Sequence, residues 1–415
     1  MIKSVLGTKD IFGEDINKWI YLENFVRTIF NNFCYNEIRT PIFEETQLFK
    51  RGIGDNTDIV GKEMYTFLDK GGTSLTLKPE MTAAVVRAFI QHSFAKQSQL
   101  NKFFYISPMF RQERPQAGRL RQFHQFGAEV LGAKSPQLDA EMIYIAYYIM
   151  SSFNLKNLNV KINTLGKTKD REIFKTELKK FLLPNFARLS EDSKKRFDTN
   201  VLRILDSKEP QDIEIINNAP KLYDFIDDES KTYFNNVLEL LKLMNVPYEI
   251  DYKLVRGLDY YTETTFEIVS TSIGAQSALC GGGRYDGLVS QLGGDETPGV
   301  GFAAGMERVL LAIENENSFT FPDNSLDFYI VRLENNLIDK IFYYANILRT
   351  KGLKVEFDYL NRSIKAQMRE ANKLNAKKVI FIGGDEYSNN QFSLKDMKSG
   401  EQIVLPLNEI ENLKL

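Results

Sequence analysis

The chain has 415 residues, enough for two or three domains with cores of their own. Apolar residues make up 43% and charged residues 26%, with a formal net charge of −2, so no global field draws in nucleic acid and any such binding must use local patches. Cys34 and Cys280 are too few for a disulfide framework and point to a reducing, cytosolic setting. No stretch approaches the roughly 20 apolar residues of a membrane span, and the N-terminus carries charges and glycines where a signal peptide needs an apolar run.

From Asp15 to Phe33, apolar residues at Trp19, Leu22, Phe25, Val26, Ile29, Phe30 and Phe33 predict an amphipathic helix whose aromatic stripe is core or interface. Pro41, in EIRTPIFEE, cannot donate to a ladder, which suits an edge strand or a subunit contact. EMYTFLDKGGTSLTLKPEMTAAVVRAF reads as a strand, a Gly71–Gly72 turn, a second strand through Leu77, and a helix from about Pro79 with Glu80 and Thr82 in its first turn. There Glu80 either complements the helix dipole or faces a ligand.

Phe103 to Gly132 reads as two antiparallel strands joined by a long loop. The loop carries Arg111, Glu113, Arg114, Arg119 and Arg121, broken by Pro115 and Gly118. Four arginines in eleven residues are either solvated charge or a device for holding phosphates, whose oxygens match the guanidinium fork. Gln125 and Glu129, four apart on the returning strand, share one face, where an anionic partner alone would not call for a carboxylate.

A further amphipathic helix (SPQLDAEMIYIAYYIMSSF) and a short strand (LNVKINTLG) follow. Residues 168–245 then turn Lys-, Glu- and Leu-rich with helical spacing, a helical insertion whose charges form a solvated face or contact a large polyanion. Strands resume in YEIDYKLVRGLDYYTETTFEIVS, interrupted at Gly257–Asp259 just before Tyr260 and Tyr261. Three glycines precede Arg284, Tyr285 and Asp286; alone, such a triplet is more often a turn than a close backbone approach to a ligand. Small residues from Gly301 to Gly305 lead into a helix carrying Arg308, aimed at whatever the sheet holds. From about Asp327, strand–helix–strand–helix–strand alternation predicts a parallel or mixed sheet. Its second helix turns Ile364, Met368, Ala371 and Leu374 inward and leaves Lys365, Arg369 and Lys373 as an exposed basic stripe. Eight Lys or Arg against three Asp or Glu between Lys351 and Lys378 make this a solvated face or an RNA contact.

With these pieces assembled, the chain resembles a class II aminoacyl-tRNA synthetase, and within that class a histidyl-tRNA synthetase of bacterial type. The resemblance runs nearly end to end: GTKDIFG, YNEIRTPIFE like motif 1, TLKPEMTAAVVR, FRQERPQAGRLRQFHQ like motif 2, LVRGLDYYTETTFE, GGGRYDGL, and GVGFAAGMERV like motif 3. It implies an α/β protein with an α+β catalytic core. An antiparallel sheet flanked by helices would occupy residues 1–325, with the insertion at about 168–245, and an α/β domain like an anticodon-binding domain residues 326–415. It further implies a cytoplasmic homodimer, joined through motif 1, that forms histidyl-adenylate from L-histidine and ATP and passes the histidyl group to tRNA(His).

By the same resemblance, Arg111 holds the ATP α-phosphate and Arg308 clamps the nucleotide from the opposite side, with Arg119 and Arg121 helping on the outer phosphates and Glu113 at the adenine. Glu80, Thr82, Gln125 and Glu129 hold histidine, walled by Tyr260, Tyr261 and Tyr285. Arg256 contacts the substrate carboxylate and the α-phosphate, doing work that a metal does elsewhere in the class. Mg²⁺ accompanies ATP, and no protein-ligated metal is expected. Gln116 and Arg119 are the candidates for reading the 5′ end of the tRNA, and Lys365, Arg369 and Lys373 for contacting its body. His124 is expected to be structural or a loop contact rather than a general base, because a carboxylate nucleophile needs no base. Lys78 and Met81 depart from the family's usual arginine and glycine. The rival reading is a non-catalytic paralogue that binds histidine as a regulatory subunit; such paralogues lack the C-terminal domain and tend to lose the ATP-site arginines.

Overall fold

The computed structural model describes residues 2–54, 57–116, 118–274 and 277–414. The chain divides into two compact units between Thr320 and Phe321. The expected boundary after residue 325 lies just beyond, in the irregular segment before the first strand of the second unit.

In the first unit, helix Glu14–Asn32 buries Trp19, Leu22, Val26, Ile29 and Phe30, the stripe its periodicity predicts. β1 (Asn36–Glu37) follows, then a small sheet of β2 (Phe43–Glu45), β3 (Tyr65–Leu68) and β4 (Ser74–Leu77), in the order β2-β4-β3. Pro41 lies between β1 and β2 and belongs to neither. The helix expected from Pro79 starts at Thr82. The Glu80 carboxylate accepts the amides of Thr82 at 2.7 Å and Ala83 at 2.9 Å, so Glu80 caps this helix from outside its first turn.

β5 (Asn101–Phe110) and β6 (Gln122–Leu131) form the expected hairpin, with Phe103 opposite Glu129 and Ser107 opposite Gln125. β7 (Leu158–Thr164) leads into the insertion, whose longer helices are Thr168–Leu182, Glu191–Thr199 and Asp228–Leu243. β8 (Tyr248–Ile250), β9 (Thr262–Ser270), β10 (Ala278–Arg284) and β11 (Gly299–Gly305) complete an eight-stranded sheet in the order β1-β5-β6-β11-β10-β9-β7-β8. Its pairs are antiparallel except β1 with β5 and β7 with β8. One buried cluster joins Phe174 and Leu178 of the insertion to Tyr105 on β5 and to Tyr260 and Tyr285, just before β9 and just after β10.

The glycine triplet is no turn. Gly281, Gly282 and Gly283 sit within β10, and a Cβ on Gly281 would overlap the Arg256 guanidinium, one on Gly282 the Gly301 carbonyl. The next residue, Arg284, is fully buried and pairs with Asp139 of helix Pro136–Ser151, Nε to Oδ1 being 3.0 Å, and with Asp286 at 2.9 Å.

In the second unit, β12 (Phe328–Arg332), β13 (Val355–Phe357) and β14 (Lys378–Ile382) are parallel. β15 (Gln391–Asp396) and β16 (Gln402–Pro406) add antiparallel strands, giving the order β13-β12-β14-β15-β16. Helix Ile364–Lys373 is rotated from the expected face: Gln367 and Ala371 are buried, Met368 half-buried, and Ile364 is exposed. The Gln367 amide brackets the Arg332 backbone, accepting its N–H at 2.8 Å and donating to its carbonyl at 3.1 Å, so a polar residue takes the inward place. Lys365, Arg369 and Lys373 are exposed.

Asp139→Ala is expected to lower stability by about 3 kcal/mol by stranding the buried Arg284 charge. Chemical denaturation measures this, and a loss below about 1 kcal/mol would mean that Asp286 alone satisfies the guanidinium.

Candidate active site

On the face of the large sheet that meets the insertion lies a cavity of about 770 Å³. Its floor is backbone: Gly281, Gly301 and Gly305 line it, and at Gly301 a Cβ would overlap Glu129 Oε2. Two sets of side chains of opposite charge share this floor.

The cationic set comes from the β5–β6 loop and the helix after β11. Arg111 donates from Nε to the Pro79 carbonyl at 2.9 Å and stacks over Phe123, 5.3 Å from its centroid. Arg308 donates to the carbonyls of Gly118 at 2.9 Å and Ala278 at 2.7 Å. Arg119 lies beside Glu113, Nε to Oε2 being 3.3 Å, and Arg111 reaches the other oxygen at 3.7 Å. Burial, followed by the Arg119 and Arg111 charges, pushes the Arg308 pKa below its ordinary value, with Glu113 opposing. Guanidiniums held this close repel one another, and an anion between them would relieve the repulsion.

The acidic set stands on β6 and the Glu80–Thr82 segment. Glu129 is 1% exposed; it accepts from Thr82 Oγ1 at 2.7 Å and Tyr105 Oη at 3.4 Å on one oxygen, and from Tyr285 Oη at 2.6 Å on the other. Burial pushes its pKa up to about 8, against these hydroxyl donors. Burial also raises Glu80, against its two amides. Tyr260 stacks edge-on to Tyr285, centroids 5.7 Å apart, and packs on Tyr261 at 4.7 Å, walling this end with rings. Arg256 spans the middle, paired with Glu267.

Two buried polar atoms along this cavity, Gln125 Oε1 and Arg256 Nε, have no hydrogen-bond partner among the described residues, and Glu113 Oε2 and Arg119 Nε meet each other only as an ion pair outside hydrogen-bond geometry. Unpaired buried polar atoms are rare in folded proteins, and their convergence on one cavity marks where a polar ligand completes the network.

Of the expected site residues, Arg111, Glu113, Arg119, Arg256, Arg308, Glu80, Thr82, Gln125, Tyr260, Tyr261 and Tyr285 line this cavity; Glu129 does not, being buried behind the wall that Thr82, Tyr105 and Tyr285 form, with all three hydroxyls bonded to it. Arg121 is not among the lining residues either. Its aliphatic stem packs against Gly7 and its Nε donates to the Glu113 carbonyl at 3.4 Å, so it braces the loop from behind. Gln116 also stays outside the lining; its backbone pairs with that of Arg119 at 2.9 and 3.1 Å to close the loop tip. Lys365, Arg369 and Lys373 belong to the second unit. His124 is held structurally: Glu307 accepts its backbone N–H at 2.9 Å and meets Nδ1 at 3.1 Å, and its ring meets Trp19 edge-on. Sequence reasoning missed Tyr105 and Glu267, which strand alternation offered, and Lys195, Arg196 and Arg203, which line the cavity from the insertion. How the insertion faces the sheet left no signal in the sequence.

A family model described as histidyl-tRNA synthetase matches residues 7–309, and one described as an anticodon binding domain matches residues 327–413. A histidine–tRNA ligase of Chloroherpeton thalassium is 49% identical over 407 residues, 97% of this chain and 95% of that one. Another, of Halothermothrix orenii, is 46% identical over 414 residues, 100% of this chain and 99% of its own. The crystal structure of apo histidyl-tRNA synthetase from S. aureus superposes with a TM-score of 0.84 at 39% identity, covering 99% of both chains.

The Glu129 pKa lies above that of an unfolded glutamate, about 4.3. Its contribution to the stability of the ligand-free protein is therefore fully present below about pH 4.3 and is lost as pH rises through about 8. Glu129→Gln should flatten the decline in unfolding free energy between about pH 5 and 8, measured by urea denaturation across that range. Equal slopes in both proteins would mean that Glu129 ionises as an ordinary carboxylate.

Proposed function

The chain belongs to the histidyl-tRNA synthetase family, and from that premise we infer that it activates L-histidine with ATP and transfers the histidyl group to the 3′-terminal adenosine of tRNA(His). The observation that carries this reading is one cavity lined by Arg111, Arg119 and Arg308 and by the buried Glu80 carboxylate, with Glu129 just behind its wall on the hydroxyls of Thr82, Tyr105 and Tyr285.

In the first step a histidine carboxylate oxygen bonds to the α-phosphorus, the bond from that phosphorus to the bridging oxygen breaks, and pyrophosphate leaves. The nucleophile is already an anion, so the chain supplies position and positive charge rather than a base. Arg111 and Arg308 would hold the phosphate oxygens, and Arg119 the outer ones. Arg256, between the two ends, would bridge the substrate carboxylate and the α-phosphate. Glu113, whose Oε2 sits beside Arg119, would accept from the adenine amino group. At the acidic end, Glu80, Thr82, Gln125 and Glu129 would take the α-ammonium and the imidazole N–H. An isosteric amino acid without those donors would leave buried acceptors unmet, which supports discrimination by about 10⁴ or more. In the second step the ribose hydroxyl oxygen bonds to the carbonyl carbon, the bond from that carbon to the phosphate oxygen breaks, and AMP departs while the hydroxyl proton passes to the phosphate oxygen or to water.

Among the described residues, no group of three or more His, Cys, Asp or Glu side chains could hold a metal ion. ATP would bring Mg²⁺ on its outer phosphates, with water completing the shell that this ion gives up reluctantly. Residues 1–325 would form the catalytic domain and 326–415 the tRNA-reading one, with Lys365, Arg369 and Lys373 against the tRNA backbone. Arg119 and, from the loop tip, Gln116 remain the candidates for its 5′ end. A homodimer is supported by Ile42, Phe43, Phe67 and Leu68, apolar and exposed next to Pro41 and on the small sheet. A cytoplasmic setting is supported by the cysteine usage. No helix among the described residues is long and apolar enough to cross a membrane. The rival regulatory role would leave the arginine cluster without an anion to hold.

Purified protein should exchange pyrophosphate into ATP only when histidine is present, and Arg256→Ala should abolish the exchange. Equal exchange with another amino acid would refute the specificity, and undiminished exchange in the variant would refute the role of Arg256. Replacing Lys365, Arg369 and Lys373 together by alanine should raise the KM for tRNA and flatten its salt dependence while leaving histidine-dependent exchange intact. Unchanged tRNA kinetics would reduce the stripe to a solvated face.

A further inference from the structure

Behind the cavity wall formed by Glu80 and Thr82 lies a cation that the assigned chemistry does not use. Lys78, one residue past β4, is fully buried. Among the described residues its ammonium has no carboxylate within ion-pairing distance. Its contacts are the Thr40 carbonyl and Oγ1, both at 3.5 Å, and the Met81 thioether at 3.7 Å. Glu44, the carboxylate that faces it, is engaged by Arg87, Nε to Oε2 being 3.2 Å. Burial lowers the Lys78 pKa to about 8, with Glu44 pulling the other way. A buried ammonium held this weakly is unfavourable, and an apolar side chain of similar length would fill the space without that penalty.

The position of Lys78 in the fold supplies a reason for the charge. Its N–H donates to the Ile42 carbonyl at 2.9 Å, and its carbonyl accepts from Phe110, the last residue of β5, at 3.0 Å. The next carbonyl, of Pro79, receives the Arg111 guanidinium, and the next side chain, Glu80, caps the helix that begins with Thr82. Met81 is touched by Lys78 Nζ and by Thr40 Oγ1, the latter at 3.4 Å, and it also lines the cavity. Five consecutive residues therefore tie the segment at Thr40 to both ends of the site.

We propose that Lys78 is a positioning residue for both substrates: its ammonium fastens the Lys78–Thr82 strap to Thr40 and, with Met81 gripped between them, sets where Arg111, Glu80 and Thr82 stand. This rests on the assignment of the cavity to histidine and ATP, which Arg256→Ala tests separately. Lys78→Met keeps the length and removes the charge. Lys78→Arg keeps the charge but brings a bulkier head that needs the room Met81 occupies.

In pyrophosphate exchange with the full chain, Lys78→Met should raise the KM for histidine and lower kcat, together by about tenfold or more, because small displacements of positioning groups are costly in rate. Lys78→Arg should also be impaired, and adding Met81→Ala should recover part of that loss, a coupling expected only of groups in contact. A purely structural lysine would lower the melting temperature while leaving KM and kcat of the folded protein unchanged, and that outcome for Lys78→Met overturns the proposal. So do independent, multiplicative effects of Lys78→Arg and Met81→Ala, which decide the matter if Lys78→Met does not fold.

Discussion

Glu129 is a carboxylate with no cation against it among the described residues, buried in the middle of an eight-stranded sheet, and much of the surrounding architecture keeps it there. Three hydroxyls, from Thr82, Tyr105 and Tyr285, converge on its two oxygens from a helix start, a neighbouring strand and the end of β10. The facing position on β11 is Gly301, without which Oε2 would have no room. Hydroxyl donors stabilise the anion only in part, which is why the group holds its proton to about pH 8. A cationic or N–H-bearing ligand would supply what the protein withholds.

The arginines show the same incompleteness with the opposite sign. Arg111, Arg119 and Arg308 are drawn together by carbonyls and a single carboxylate, Glu113. One hairpin serves both sets: β6 presents Gln125 and Glu129 along its length, and the loop leading into it presents Arg111 and Arg119. One strand register, Ser107 against Gln125 and Phe103 against Glu129, thus brings the acidic and the cationic sets onto one hairpin. A slip by one residue would turn both side chains to the other face.

Much of this was legible in the sequence because the hairpin announces itself twice, by alternation and by its arginines. The face shared by Gln125 and Glu129 follows from the two-residue period alone. What was not legible is tertiary in origin. Glu80 delays its helix to Thr82 because the carboxylate takes the first amides, which local spacing cannot distinguish from a place inside the first turn. The glycine triplet resembles a turn until Arg256 and β11 are seen pressing on it from two sides. Ile364 lost its inward place to Gln367 because a strand-end backbone needed an amide. Arg121 carries the same charge as Arg119 two residues away, yet its contacts with Gly7, distant in sequence, hold it behind the loop.

That bracing by Arg121 has a bearing on how the protein is handled. The amides of Arg121 and Gln122 both point to the Gly7 carbonyl, at 2.7 and 3.3 Å, and the arginine stem lies over Gly7 itself. The extreme N-terminal segment is thereby a strut for the loop that carries Arg119. Any change that displaces Gly7 would loosen that strut, so rates measured on such a form would mix loop order with chemistry.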